Sequence, residues 1–159
     1  MTLKAQAETA LSNLSSFSQA AQTIAVTDGG QELTAQLTGL DALALAFGHI
    51  TLSSHALADA PIDRLKVVAD TLAKRLTYLL EPISPIEVDA DQCIVQMRSS
   101  PPQRDDNGTR YYELLVRRGG ELSLRRYQRQ GAGERRSISA QITREVFLRL
   151  VGDLSDAAK

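Results

Sequence analysis

The chain has 159 residues, of which 43% are hydrophobic and 23% are charged, and its formal net charge is −1. A globular domain of this length buries roughly 70% of its unfolded surface, so it needs no disulfide to fold. The longest apolar runs are far shorter than a membrane span, residues 1–21 lack the apolar core of a signal peptide, and the single cysteine cannot form an internal disulfide, so we expect one cytoplasmic domain over residues 1–159.

The charge is unevenly distributed along the chain. Residues 1–80 carry five basic and seven acidic residues, a net charge of −2, whereas residues 98–149 carry twelve arginines and six acidic residues, a net charge of +6. Every basic residue in the second stretch is arginine, which suits bidentate contacts with anions and stacking on aromatic rings. The alternative interpretation is an ordinary solvated surface.

An amphipathic helix is predicted from about Leu3 to Ala21. Its apolar stripe is narrow and rich in alanine, so it packs only modestly on a neighbour. This helix, within residues 1–22, is therefore either a loosely attached arm or a helix laid on the domain's own sheet, and we favour the sheet. The stripe consists of Leu3, Ala7, Leu11, Leu14, Phe17 and Ala21.

Turn residues and an alternating pattern predict strands next. Asp28-Gly29-Gly30 is a turn signal, and residues 33–38 alternate apolar and polar side chains, as in a half-buried strand. Residues 41–53 fit either a strand or a helix, because their apolar residues match both periods. A hairpin about Leu40 favours the strand. It would pair Leu37 with Leu43, Ala35 with Leu45 and Leu33 with Phe47.

The most regular helical pattern begins at Pro61, which suits a first helical position. Asp63 follows in the first turn, where the helix dipole favours an acid, and Pro82 and Pro85 are expected to end the helix. We predict that this is the central core helix. Its apolar stripe is Ile62, Leu65, Val68, Leu72, Leu76 and Leu79.

Beyond this helix the sequence predicts an antiparallel meander. Ile86 and Val88 are expected to face Cys93 and Val95, and the polar segment 99–109 is expected to be a mobile loop.

The meander ends in a last strand and a last helix. The strand is predicted at 137–142, and the helix is capped by Thr143 and frays after Asp153. The predicted fold is thus α+β, with an antiparallel meander sheet and helices packed mainly on one face, in the order α-β-β-α-β-β-β-β-β-α.

The hairpin from Tyr111 to Arg129 is the most informative segment. A three-residue loop, Arg118 to Gly120, makes both faces of the hairpin consistent, whereas a two-residue Gly-Gly turn would set core residues opposite solvent-facing ones. On the core face, this register pairs Val116 with Leu122 and Leu114 with Leu124. On the other face, it pairs Arg117 with Glu121, Glu113 with Arg125 and Tyr111 with Tyr127.

The second face of this hairpin carries arginine and tyrosine side chains for which the fold has no obvious need. Such a face could receive an acidic or aromatic protein segment, because tyrosine and arginine dominate binding hot spots. It could also stack the bases and hold the phosphates of single-stranded RNA. Without a binding role, it would be a solvated face on which Glu113 and Glu121 neutralise two arginines. The candidate binding residues are Arg98, Tyr111, Arg117, Arg125, Tyr127, Arg129 and Arg135.

Catalytic and metal-binding patterns are not found in the sequence. The two histidines, His49 and His55, would lie about 20 Å apart on a strand and on different sides of a helix, so they cannot share a metal. Cys93 is expected to be buried and inert. The glycine pairs suit hairpin turns rather than a nucleotide-binding loop. We therefore expect no catalytic residue, no metal site and no cofactor.

The leading hypothesis is a non-enzymatic protein-interaction or adaptor module with an unknown protein partner. Binding of single-stranded RNA or another polyanion on the same face is the alternative. Exposed sheet edges and the weakly apolar N-terminal helix also predict a homodimer, formed by paired edges or exchanged helices. A monomer whose own helix and charged edges cover these surfaces is the alternative.

Overall fold

The computed structural model describes residues 1–14 and 21–159. These residues form three α-helices and a ten-stranded antiparallel sheet, so the predicted α+β class and the order of its elements are confirmed in outline. Within these ranges, no helix is both long enough and apolar enough to cross a membrane.

The strands and helices follow one another along the chain with short connections. The strands are β1 (Gln22–Asp28), β2 (Gln31–Leu40), β3 (Ala44–Ser54), β4 (Ile83–Asp89), β5 (Ile94–Ser99), β6 (Gln103–Asp105), β7 (Gly108–Arg117), β8 (Glu121–Arg129), β9 (Arg136–Ile138) and β10 (Ala140–Thr143). The helices are α1 (Leu3–Asn13), α2 (Ile62–Arg75) and α3 (Arg144–Ala157), with a 3₁₀ helix at His55–Leu57.

The sheet runs β1-β2-β3-β8-β7-β5-β4, so β1 and β4 are its edges. All three helices contact the sheet, and their apolar stripes join the inward strand residues in one core. We call this side the helix-covered face and the opposite side, which carries Arg125 and Tyr127, the open face. The helix residues of the core include Leu3, Ala7 and Leu11 of α1, Leu65, Val68 and Leu72 of α2, and Phe147, Leu150 and Leu154 of α3.

The N-terminal helix is shorter than predicted, and β1 was not predicted at all. The helix ends at Asn13, after which Leu14 has extended backbone with a ψ of 153°. Ser12 and Asn13 are weak helix formers, which favours an end here. Ala21 is an exposed residue just before β1, and Phe17 lies outside the described residues. The alternation of polar and apolar residues in 22–28 is the strand signal that was missed.

Residues 44–54 form β3, so the prediction of a strand is confirmed, but its predicted pairing with β2 is wrong. The turn lies at 41–43, where Asp41 Oδ1 accepts hydrogen bonds from the backbone N–H groups of Leu43 and Ala44, at 2.8 and 2.7 Å. Leu43 is 79% exposed and belongs to this turn. Irregularities near Gly39 shift the register further. The observed pairs are Leu37 with Phe47, Ala35 with Ile50 and Leu33 with Leu52.

The central helix and the last helix end at different residues than predicted. α2 ends at Arg75, before the prolines, although Leu76 and Leu79 beyond it are still buried. α3 does not fray after Asp153 but continues to Ala157. Its last turn is held because Ala158 is buried and its carbonyl accepts a hydrogen bond from the Ser54 hydroxyl.

The region around β4 also differs from the prediction. Ile86 and Val88 lie on the edge strand β4 and are both exposed rather than facing the core. Val88 pairs with Val95, and Ile86 lies at a register irregularity. Cys93 is buried as expected, but it occupies the turn, with a positive φ of 54°. The segment 99–109 contains β6, which pairs with β7, where a mobile loop was expected.

The predicted last strand is divided in two by a bend at Ser139. β9 pairs with β8, whereas β10 pairs with β3. β3 and β8 pair directly only through 50–53 and 121–124. Beyond this short pairing β3 and β8 diverge and leave a fork between them. β9 runs towards the junction along β8, and β10 runs away from it along β3, each antiparallel to its partner. Together β9 and β10 fill the fork.

The β7–β8 hairpin confirms every predicted pair. Leu114 lies opposite Leu124, and Glu113 lies opposite Arg125. The loop is the expected three residues, with Gly119 and Gly120 at φ values of 85° and 83°.

The helix-covered face also holds a buried ion pair that was not predicted. Arg126 donates hydrogen bonds to both carboxylate oxygens of Glu81, at 2.9 and 3.2 Å. Ser99 donates to the same carboxylate, and the Arg126 guanidinium lies 4.5 Å from the centre of the Tyr112 ring. This cluster ties the loop after α2 to the sheet. Arg126 shares the alternation of Leu124, which was the available signal for its inward position.

The two turn glycines provide a matched test of this packing. A methyl group on Gly120 would overlap the Ser54 carbonyl oxygen, whereas one on Gly119 would meet open space. Both residues have a positive φ, so Gly119→Ala should cost about 1 kcal/mol of unfolding free energy from backbone strain alone. Gly120→Ala should cost about 1–3 kcal/mol more, because the overlap adds to that strain. Urea denaturation measures both, and equal losses would show that the hairpin loop does not pack on β3 as described.

Candidate functional site on the open sheet face

Four neighbouring strands place charged and polar side chains side by side across the open face. Glu113 of β7 lies opposite Arg125 of β8 on one side and opposite Arg98 of β5 on the other. A nitrogen of Arg125 lies 3.1 Å from Nδ1 of His49 on β3. We call His49, Arg125, Glu113 and Arg98 the charged row. It arises because side chains at matched register positions stand next to each other on one face of a sheet.

The Glu113 carboxylate is the most buried charge of this row, with the residue only 4% exposed although none of the three described helices covers this face. Its Oε2 accepts hydrogen bonds from Arg135 at 2.6 Å, from Gln96 at 2.8 Å and from Arg98 at 3.3 Å. Burial by itself raises the pKa of Glu113, but these hydrogen bonds outweigh it and hold the pKa below its ordinary value. The hydrogen bond between Arg135 and Glu113 also raises the pKa of Arg135. Glu113 is therefore ionised at neutral pH.

Guanidinium groups cover the two tyrosines beside this row. The rings of Tyr111 and Tyr127 lie 5.9 Å apart, centre to centre. Arg98 lies 4.9 Å from the Tyr111 ring centre, and Arg135 lies 3.9 Å from the Tyr127 ring centre. These distances are within the range of cation–π attraction. Tyr111 is only 7% exposed, so its ring is not an open stacking surface.

A cavity of about 470 Å³ opens above these residues, between β5, β7, β8 and the loop that follows β8. Arg129 closes one side, and its Nε donates to the Gly133 carbonyl at 2.9 Å. We call this cavity the arginine cleft. Its lining residues are Arg98, Tyr111, Arg129, Ala132, Gly133, Glu134 and Arg135.

The seven predicted site residues are distributed unevenly over the open face. Arg98, Tyr111, Arg129 and Arg135 line the arginine cleft. Tyr127 is covered by Arg135 next to it. The remaining two, Arg125 and Arg117, lie outside the cleft lining.

The ion pairs on this face differ in part from the expectation. Arg117 pairs with Glu121 at 3.7 Å, near the hairpin loop. Glu113 was expected to neutralise Arg125 across the strands, but its carboxylate binds Arg98 and Arg135 instead. Arg125 has no acidic partner within 4 Å among the described residues.

His49 also contacts Ser123 of β8. From the sequence, His49 was considered only as a metal ligand, and Ser123 was not singled out. His49 Nε2 lies 2.8 Å from the Ser123 hydroxyl, and its Nδ1 faces Arg125. Arginine can only donate, so Nδ1 accepts and the neutral imidazole carries its proton on Nε2. His49 therefore donates to Ser123 and is not placed to act as a base towards that hydroxyl. The predicted alternation of 41–53 would have put His49 on the core side with Leu45 and Phe47. The register irregularity between Phe47 and His49 turns it to the open face instead, and nothing in the sequence pattern signalled it.

Other concave surfaces of the described chain offer less chemistry. A cavity of about 670 Å³ lies at the turn end of the sheet, near Asp28, Glu32 and His55. Its lining includes the turn glycines Gly29, Gly30 and Gly119 and contains no arginine or lysine. Among the residues described, no group of three or more histidine, cysteine or acidic side chains is placed to hold a metal ion.

The contacts of His49 predict a specific pH dependence. Burial lowers the pKa of His49 from its ordinary 6.5, and the nearby charge of Arg125 lowers it further. Below pH 6.5 the unfolded chain therefore binds a proton more readily than the folded one, so this residue reduces stability as the pH falls from 6.5 to the folded pKa. His49→Gln should lose less unfolding free energy than the original chain between about pH 7.5 and 5. Denaturation of both chains at each pH measures the difference, and identical pH profiles would contradict the assigned environment.

No protein-family profile matches the chain, and no curated protein or solved structure is detectably similar to it.

Proposed function

We propose that the protein is a non-enzymatic interaction module whose arginine cleft binds an acidic segment of a protein partner. The observation that carries this proposal is the meeting of Arg98, Arg129 and Arg135 in one cavity beside Tyr111. A solvated sheet face needs only polar residues. It does not need three guanidinium groups around a common space.

The interior of the site supports an anionic ligand. Arg98 and Arg135 already bind the Glu113 carboxylate with charge-assisted hydrogen bonds, so these side chains are oriented for carboxylate chemistry. Arg98 uses only Nε for that contact, and Arg129 uses only Nε for Gly133. In the part of the chain that the structure describes, the terminal nitrogens of these two arginines have no hydrogen-bond acceptor. A carboxylate entering the cleft would meet unused donors.

The aromatic residues favour a protein ligand over single-stranded RNA, the second candidate. Binding of RNA on such a face relies on bases stacked on open aromatic rings. The Tyr111 and Tyr127 rings are instead covered by Arg98 and Arg135. A base could stack only by displacing a guanidinium group that also holds Glu113.

The predicted homodimer and cytoplasmic location remain predictions. Edge strand β4 contains Pro85, a register irregularity, and the exposed acids Glu87 and Asp89, which discourage pairing with another strand. α1 packs on α3 and β1 of its own chain. Both observations support the monomeric alternative. Light scattering at micromolar concentration should then give a mass near 17.3 kDa, and twice that mass would restore the dimer.

Substitution of Arg129 tests the proposed cleft with little risk to the fold. Arg129 is exposed and makes one contact with a backbone carbonyl. Arg118 is a matched control, because it is also exposed and binds only the Asp91 carbonyl, at the opposite end of the hairpin. For a labelled decaglutamate peptide at about 50 mM salt, Arg129→Gln should weaken binding about tenfold, the worth of one charge-assisted hydrogen bond. Arg118→Gln should leave the affinity within about twofold.

Fluorescence anisotropy of this peptide and of a labelled oligouridylate separates the two candidate functions. Binding of the peptide with the stated pattern supports the acidic-segment proposal. Tighter binding of the oligouridylate, weakened by Arg129→Gln and by salt, supports the polyanion alternative. If neither probe binds, or if both variants behave alike, the arginine cleft is not the binding site.

A further inference from the structure

The charges around the arginine cleft do not balance. Four arginines surround it, namely Arg98, Arg129 and Arg135 in its lining and Arg125 beside its floor. Two acids face them: Glu113 at the floor and Glu134 in the loop. Counting Arg125, which lies outside the lining, four arginines against two acids leave a net charge of +2 around the cleft. A single carboxylate would neutralise only one of these two positive charges.

The unused N–H donors of these arginines are arranged for a group with more than two oxygens. The terminal nitrogens of Arg98 and Arg129 have no acceptor within the described residues, and Arg135 commits one terminal nitrogen to Glu113. A guanidinium group presents paired N–H donors in a plane, which match two oxygens of a phosphate or carboxylate. Arginines from three different segments thus approach one space from different directions. A tetrahedral group with three terminal oxygens can meet them, whereas a planar carboxylate offers its two oxygens in one plane.

We propose that the acidic group taken by the arginine cleft is a phosphate monoester on a serine, threonine or tyrosine side chain of the protein partner. This inference rests on the proposed function, and it specifies the chemistry of the same site. At neutral pH a phosphate monoester carries about −1.5 to −2 charges, which matches the two positive charges that remain. The cavity of about 470 Å³ also lies within the range of small-ligand sites, about 300–1,000 Å³.

The covered tyrosine rings favour a protein rather than a nucleic acid as the source of the phosphate. The ring of Tyr111 lies under Arg98 and that of Tyr127 lies under Arg135, so the site offers phosphate contacts without a surface for bases. A nucleic acid phosphate is also a diester, which carries one charge rather than two and offers only two unesterified oxygens.

Three peptides that differ only at their centre provide the test. Each is a short Ala/Gly peptide with a central phosphoserine, glutamate or serine, and binding is followed through the arginine Nε–H signals in an NMR titration. The phosphoserine peptide should bind about tenfold or more tightly than the glutamate peptide, and the serine peptide should not bind. Lowering the pH from about 7.5 to 5.5 should weaken binding of the phosphoserine peptide, because its phosphate becomes a monoanion below its second pKa of about 6.

Two variants locate the effect in the cleft. Arg129→Lys keeps the charge but removes the planar pair of donors, so it should lower the affinity for the phosphopeptide at least several-fold. Arg118→Lys is the matched control and should leave it unchanged. Glu134→Gln removes a negative charge from the lining and should strengthen binding.

Each outcome decides a different point. Equal affinity for the phosphoserine and glutamate peptides would overturn the phosphate inference while the acidic-segment proposal stands. If neither the phosphoserine peptide, the glutamate peptide nor decaglutamate binds, both the phosphate inference and the acidic-segment proposal are overturned. Tighter binding of a 5′-phosphorylated oligonucleotide than of the phosphopeptide would overturn the assignment to a protein partner.

Discussion

The fixed register between β7 and β8 is the constraint on which the rest of the structure depends. Successive side chains of a strand point to opposite faces, so a shift of one residue would exchange the two sets. The observed register sends Leu114 and Leu124 into the core and Glu113 and Arg125 to the open face. β3 and β5, which pair with β8 and β7, then add their side chains to a core face and an open face that are already defined. Both the core and the arginine cleft follow from this single pairing.

The register could be read from the sequence because two independent patterns agreed. The core pairs and the opposite-charge pairs of residues 111–129 are consistent with only one loop length, and the turn glycines suit that loop. The β2–β3 hairpin lacked such a check, because its outward residues are mainly uncharged, among them Thr34, Gln36 and Thr38 of β2 and Ala44 and Ala46 of β3, and these pair equally well in several registers. Its turn was decided by Asp41, whose side chain binds two backbone N–H groups. Local side-chain chemistry of this kind is hard to rank from sequence alone.

The membership of the open face was predictable, but the partners within it were not. Alternation within β5, β7 and β8 placed six of the seven candidate residues, all but Arg135, on one face. Which guanidinium group reaches Glu113 depends on the path of the loop after β8, which brings Arg135 back over the sheet. The choice also depends on the close approach of His49, which occupies Arg125. Such contacts join residues far apart in the chain, and their geometry follows from tertiary packing.

A buried carboxylate lies against each face of the sheet, and the two have different roles. Glu81 binds Arg126 on the helix-covered face, where both side chains are almost fully enclosed. Removal of one partner there would leave an uncompensated buried charge. Glu113 lies beneath arginines that are themselves more than one-third exposed. Its partners can therefore contact a ligand from solvent without leaving the carboxylate, which is a condition for a binding surface built on an ion pair.

The bend at Ser139 has a consequence for the order in which the chain can fold. The fork between β3 and β8 is filled by residues 136–143. Phe47 of β3 pairs with Ala140, which is synthesised much later. A nascent chain that has already formed β2, β3 and the β7–β8 hairpin still presents unpaired backbone groups on both arms of the fork. Pairs with such large sequence separation are formed slowly, because loop closure costs entropy before the contacts repay it. During that interval the open fork is the place where a chaperone, or the strand of another nascent chain, could bind.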